Sequence, residues 1–174
     1  MANARRDALI LGGVGLAAAA AGALVGVLAL QARSGAAELL SARFYDLEGR
    51  PHRLLDWQGQ PLLCNFWATW CAPCREEIPL LVAAKQQQLG QRGEIVGIGI
   101  DSAANIGQFA RTYKMNYPVL VADATAIGVL RGLGNRAGGL PYTVVLDRRG
   151  AVVYRHLGAL TQRELRQVLA SFVR

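Results

Sequence analysis

The chain reads as an α/β domain, a mixed central sheet flanked by helices, behind one apolar N-terminal transmembrane helix. Three observations lead there. Residues 42–174 alternate short β-prone runs with helical periodicities and finish on a hairpin and a last helix. That order suits a sheet covered on both faces. A Cys-x-x-Cys pair, Cys71-Ala72-Pro73-Cys74, stands where an apolar strand gives way to a helix. Ahead of both, Ala8 to Leu30 carries no charge over 23 residues. A length of 174 residues, 52% of them apolar, fits one domain with an extension.

As a helix, Ala8 to Leu30 would reach about 34 Å, enough to cross a bilayer. Arg5 and Arg6 precede it, which favours an N-terminus held in the cytoplasm with the rest sent across. The apolar stretch exceeds the usual signal-peptide core, so residues 1–33 are expected to remain as an anchor in the cytoplasmic membrane. The alternative is export with cleavage. Val27-Leu28-Ala29 and Ser34-Gly35-Ala36 offer small residues to a signal peptidase, and Arg5-Arg6-Asp7-Ala8-Leu9 resembles a twin-arginine signal. Either route puts the domain in the bacterial periplasm, anchored or soluble. Residues 34–41 are expected to be a linker, and 42–174 the folded domain.

Arg43 to Leu47 and His52 to Leu55 flank the turn cluster Glu48-Gly49-Arg50-Pro51, which suggests an N-terminal hairpin. Pro61 to Trp67 is apolar and suits a central strand. Ala72 to about Leu89 has helical spacing, with a bend expected at Pro79, whose ring removes a hydrogen bond. Glu94 to Ile100 suits a buried parallel strand, closed by the polar break Asp101-Ser102. Asn105 to Lys114 reads as a helix with Ile106, Phe109, Ala110 and Tyr113 on one face. Val119 to Val121 forms a short strand and Ala124 to Arg131 a helix. Gly132 to Gly139, with four glycines in eight residues, is the most broken stretch. Val144 to Asp147 and Ala151 to His156 make a hairpin around Arg148-Arg149-Gly150. Thr161 and Glu164 frame a capping box for a final amphipathic helix carrying Leu165, Val168 and Leu169.

The chemistry resides in the Cys pair. A strand that turns and opens a helix sets Cys71 at the helix N-terminus, where unpaired N–H groups and the macrodipole favour an anion. A thiolate there has a lowered pKa, and the thiolate is the form that attacks a disulfide. Cys74, one turn on, can close back onto Cys71 and release a substrate held as a mixed disulfide. The pair therefore points to a dithiol–disulfide oxidoreductase. A Cys-x-x-Cys is also half of a tetrahedral zinc site, but Cys64, His52 and His156 form no second paired knuckle. Peroxidatic chemistry usually places a Thr three residues before the reactive Cys, whereas Thr69 is two before Cys71.

Asn65-Phe66-Trp67-Ala68-Thr69-Trp70-Cys71-Ala72-Pro73-Cys74 resembles the active-site stretch of thioredoxin-fold proteins, particularly the membrane-tethered TlpA/ResA group. Pro79 and Leu140-Pro141-Tyr142-Thr143 are further matching points, and the likeness runs from about Ala42 to the C-terminus. The resemblance implies a thioredoxin-like fold with an extra N-terminal β-hairpin. It also implies a cis Pro141 facing the Cys pair, with Leu140 and Pro141 shaping the substrate groove. Asn65 stands where thioredoxin carries a buried Asp that takes the second Cys's proton, and Asn cannot ionise. Glu77 lies three residues after Cys74, on the same helical face, and matches a Glu placed near the pair in ResA-like proteins. It is the candidate for deprotonating Cys74 and tuning Cys71, since a carboxylate beside a thiolate raises both pKa values. The alternative for Glu77 is a solvated place beside Arg75 and Glu76.

Trp70 is expected to pack beside the pair as a shield and to touch substrate, whereas Trp67 belongs to the core. Cys64 falls on a strand and reads as a small buried hydrophobe. No cofactor is expected beyond the redox-active Cys71–Cys74 disulfide, and no metal. Net charge is +7, with 17 Arg and 2 Lys dispersed along the chain rather than clustered, which argues against nucleic acid. The resemblance implies a reductase of disulfide-containing extracytoplasmic proteins, of the cytochrome c maturation or copper-site assembly type. It would be resupplied by a membrane thiol–disulfide donor of the DsbD or CcdA kind. A periplasmic oxidant or isomerase is the alternative enzyme, and a copper chaperone the non-enzymatic one.

Overall fold

The computed structural model describes residues 21–23, 26, 35–89, 93–123, 126–170 and 172. The expected anchor or export signal, residues 1–33, lies almost wholly outside the described residues. Among those described, no helix is long and apolar enough to cross a membrane.

Helix α1 spans 35–41. It is followed by β1 (Phe44–Tyr45), β2 (Pro51–His52), a 3-10 turn (Leu54–Trp57), β3 (Leu62–Trp67) and α2 (Ala72–Ala84). After a π-helical turn (Lys85–Leu89) come β4 (Glu94–Gly99), α3 (Ala103–Thr112), β5 (Val119–Val121) and α4 (Ala126–Gly132). The chain closes on β6 (Tyr142–Leu146), β7 (Val152–Leu157) and α5 (Gln162–Ala170). One seven-stranded sheet runs β2-β1-β5-β4-β3-β6-β7. Strands β3, β4 and β5 are parallel, whereas β6 joins β3 and β7 joins β6 antiparallel. The N-terminal hairpin is there, although its strands are only two residues long, and Tyr45 adds it to the sheet opposite Val121.

Strand β3 organises the core because all six of its residues are buried. Its period of two sends Leu62, Cys64 and Phe66 to one face and Leu63, Asn65 and Trp67 to the other. The first face packs with Leu39, Phe44, Val96, Ile98 and Val129 beneath α1 and α4. The second meets Leu81 of α2 and Leu165, Val168 and Leu169 of α5, while Trp67 joins Ile78, Ile106 and Phe109. Ser102, in the polar break after β4, caps α3: its Oγ accepts from Asn105 N at 3.2 Å. The capping box expected at Thr161 is present. Thr161 N donates to Glu164 Oε2 at 2.8 Å, and Glu164 N returns a bond to Thr161 Oγ1 at 3.3 Å. Helix α2 runs through the exposed Pro79, and its regular geometry gives way at the π-helical turn.

The segment expected to be a linker is different in the structure. Residues 35–41 are helical, with Ala36 and Leu39 three apart on a buried face and Leu39 fully buried. Two short apolar residues at helical spacing were too weak a pattern to distinguish from a spacer. A Cβ at Gly35 would stand 2.3 Å from the Gly132 carbonyl oxygen, so α1 is in direct contact with the end of α4 at Gly35. Leu39→Ala should therefore lower stability by about 2–4 kcal/mol, read as a reduced urea midpoint at constant m-value. An unchanged midpoint would mean that α1 is not part of the domain.

Candidate active site

The apolar strand β3 ends at Trp67, the chain turns through Ala68–Trp70, and α2 opens at Ala72 with Cys71 as its N-cap. Pro73 sits in the first turn, where a missing N–H leaves no bond unmade. Cys71 and Cys74 are joined by a disulfide with S–S 2.04 Å. The Cys74 N–H donates to Cys71 Sγ at 3.3 Å, the bond that would stabilise a Cys71 thiolate. The two sulfur-bearing residues differ in access: Cys71 is 6% exposed and Cys74 not at all.

The turn is clamped from two sides. Arg75 donates Nε and Nη2 to the Thr69 carbonyl at 3.0 and 2.8 Å. The Thr69 hydroxyl donates to Asp101 Oδ2 at the end of β4. That bond, with the Asn105 amide and the Ser102 N–H, holds the Asp101 carboxyl below the usual range. Neither Arg75 nor Asp101 stands out in the sequence, because one is a charged residue on a helix and the other a polar break after a strand.

Glu77 is not a solvated surface residue. It is 1% exposed, and its carboxylate accepts from Asn65 Nδ2 at 3.0 Å and from the Leu160 N–H at 3.0 Å. Burial raises its pKa to about 7, while those two hydrogen bonds pull the other way. Asn65 spends its second N–H on Thr143 Oγ1 at 3.0 Å. The sequence signal for these contacts was the lone polar residue in each of two apolar strands, Asn65 in β3 and Thr143 in β6. Leu160 had no signal, since its contribution is a backbone N–H.

The Leu140–Pro141 peptide is cis, and Pro141 is buried. Leu140 packs against the cluster holding Cys71, Cys74, Trp67 and Ile78. The glycine-rich loop before it is held by Asn135, whose Nδ2 donates to Gly139 O at 2.8 Å and whose Oδ1 accepts from Gly139 N at 3.1 Å. Trp70 departs from the packed shield expected of it: it is 67% exposed. The buried place is taken by Trp67, and Trp70 instead edges an open hollow of 410 Å³ with Arg75, Asn105, Gln108 and Tyr113. Cys64 is buried and its thiol pKa is raised by that burial. His52 Nε2 meets Asp46 at 3.2 Å and His156 Nδ1 meets the Tyr154 hydroxyl at 3.4 Å, both far from the Cys pair in sequence.

The AhpC/TSA family model matches residues 35–155. The chain belongs to the AhpC/TSA family. This family member is 33% identical over 127 residues to the thiol-disulfide oxidoreductase ResA of Geobacillus thermodenitrificans, covering 72% of this chain and 71% of the relative. It is 32% identical over 127 residues to the thioredoxin-like protein YneN of Bacillus subtilis, covering 71% of each. A thiol:disulfide interchange protein of the thioredoxin family from Chlorobium tepidum superposes with TM-score 0.67 at 26% identity, over 76% of this chain and 93% of that one. A thioredoxin-related protein from Neisseria meningitidis gives TM-score 0.66 at 28% identity, over 75% and 98%. The AhpC/TSA protein described here is a thioredoxin-like thiol–disulfide oxidoreductase of the ResA type.

The Glu77 environment has a signed consequence for stability. A carboxyl with a folded pKa near 7 and an unfolded value near 4.5 stabilises the fold fully only below the unfolded value. That contribution is lost as pH rises from about 4.5 to 7. Urea unfolding of the oxidised protein should show wild type losing up to about 3 kcal/mol relative to Glu77→Gln across that window, with no further divergence above it. Parallel curves would contradict the buried, raised carboxyl.

Proposed function

We propose that this protein is an extracytoplasmic disulfide reductase in which Cys71 attacks, Cys74 resolves and Glu77 carries the proton. The observation that carries the direction is the carboxyl buried one helical turn behind Cys74. Strong oxidants stabilise the thiolates of their reduced form. A buried carboxylate on the same helix face opposes thiolate formation and so favours passing electrons on.

The reduced Cys71 thiolate attacks a substrate disulfide. A Cys71–substrate S–S bond forms, the substrate S–S bond breaks, and one substrate sulfur leaves as a thiolate. Cys74 then gives its proton to the Glu77 carboxylate and attacks Cys71 Sγ. The Cys71–Cys74 bond forms, the mixed disulfide breaks, and the second substrate sulfur leaves. Two electrons have passed to the substrate. A carboxyl titrating near 7 is well matched to take and return that proton at neutral pH.

Trp70, Leu140 and Pro141 are assigned to the substrate surface. The exposed indole next to Cys71 in the chain and the packing of Leu140 against the cluster that holds both cysteines support that assignment. The substrates are disulfide-containing proteins of the cytochrome c maturation or copper-site assembly type, and the electron donor is a membrane dithiol protein of the DsbD or CcdA kind. Residues 1–33 hold the protein to the membrane from the periplasmic side; their uncharged stretch and preceding arginines support this reading.

Cys74→Ser should accumulate a mixed disulfide through Cys71 that is visible on a non-reducing gel, and Cys71→Ser should form none. Glu77→Gln should reduce a model protein disulfide at least about tenfold more slowly at pH 7. An unchanged rate would remove Glu77 from the mechanism.

A further inference from the structure

The open hollow of 410 Å³ that Trp70 edges takes no part in the electron transfer described above. It lies between the turn that ends at Cys71 and helix α3, and its sides differ in chemistry. The buried side is aromatic. Phe109 stacks on Tyr113 with ring centroids 4.1 Å apart and 9° between planes, and it meets the buried Trp67 at 4.8 Å. Another side is the Trp70 indole, 67% exposed. The polar sides are Arg75 from α2 and Gln108 from α3.

Arg75 is held in place there. It follows Cys71 by four residues, so it lies on the same side of α2 as the N-cap, and a long helical side chain leans toward the helix N-terminus. Its Nε and Nη2 donate to the Thr69 carbonyl at 3.0 and 2.8 Å. Two of the five guanidinium N–H groups are thereby engaged, which leaves the others for a partner. Among the described residues no carboxylate stands within ion-pair distance of Arg75, and none of those lining the hollow is acidic. Asp101, which shares Thr69 with Arg75, is turned to other donors: the Thr69 hydroxyl, the Asn105 amide and the Ser102 N–H. The Gln108 side chain has no partner among the described residues either. Donors without an anion, beside a nucleophilic cysteine, are complementary to a carboxylate on the molecule that brings its disulfide to Cys71.

We propose that this hollow is a specificity site for an acidic side chain, Asp or Glu, that flanks the disulfide of a substrate protein, with Arg75 pairing its carboxylate. The Trp70 indole and the Tyr113 ring cover its methylene stem, and the Gln108 amide offers a second donor from α3. This role rests on the reading of the protein as a reductase of protein disulfides and deepens it by naming the substrate class. A guanidinium already fixed on Thr69 loses less rotamer freedom on pairing than a free one. A basic side chain at the same place is repelled, which adds discrimination. The site is open, so salt screens the pair.

The test compares disulfide-bonded peptides that differ only in carrying Glu, Gln or Lys on either side of one cysteine, with hydroxyethyl disulfide as an uncharged control for overall rate. The wild-type protein should reduce the Glu peptide with kcat/KM about threefold or more above the Gln peptide at low salt, mainly through KM, and the Lys peptide below both. The preference should fade in about 0.5 M sodium chloride. Gln108→Glu, which leaves the Thr69 clamp intact, should invert the order, and Arg75→Gln should abolish it. Each ratio is taken within one variant, so a variant that is slower overall is still read. Equal kcat/KM for the Glu and Gln peptides in wild type at low salt overturns the inference, as does a Glu preference that survives both substitutions. Mixed-disulfide trapping by Cys74→Ser reads the same preference as a rate of Cys71 attack, whichever way electrons flow. A reduction potential that reverses the direction therefore removes the reductase reading and leaves the acidic preference standing, whereas equal trapping rates remove the preference and leave that reading.

Discussion

The Glu77 carboxyl, taken out of water behind the disulfide and held by the Asn65 amide and the Leu160 N–H, is the interaction on which the site depends. It links three parts of the fold: helix α2 that carries the cysteines, the central strand β3, and the segment entering α5. A buried carboxyl is costly to ionise, and two hydrogen bonds offset only part of that cost. The result is a carboxyl whose pKa is raised to about 7, one helical turn from Cys74. Cys71, by contrast, is governed by the helix N-terminus, which favours its anion. One helix thus sets two opposed electrostatic demands, an N-terminal dipole in front of the pair and a reluctant carboxylate behind it.

Much of the fold was legible because the core elements are strongly patterned. The run Leu62–Trp67 is apolar at every position but one, and Glu94–Gly99 is nearly so, which fits central strands buried on both faces. The Thr161–Glu164 box could be read from spacing alone, since it depends on residues three apart, whereas Ser102, read only as part of a polar break, caps a helix that starts two residues earlier than its apolar face suggested. The Cys pair at a strand-to-helix turn was equally plain. Where patterns were short, legibility failed. Helix α1 offers only Ala36 and Leu39 as buried anchors, and its key contact is a glycine meeting backbone, which no hydropathy pattern reveals.

The same distinction holds within the site. Helical spacing placed Glu77 on the face of Cys74, but spacing alone left open whether that face met solvent or sheet. The answer depends on a partner 83 residues away, the Leu160 N–H, and on Asn65 from β3. The clamp on Thr69 is likewise tertiary, joining Arg75 from α2 to Asp101 from the end of β4. Strand register buries Trp67, as its place on an apolar run suggests, whereas the turn leaves Trp70 exposed, which its position beside the Cys pair did not reveal.

The reduction potential of the Cys71–Cys74 pair, equilibrated against glutathione, tests the central claim most directly. A reductant that needs its own membrane electron supply should lie well below the glutathione poise, more negative than roughly −260 mV. A value near that of a strong periplasmic oxidant, about −120 mV, would contradict the account and make the protein a donor of disulfides.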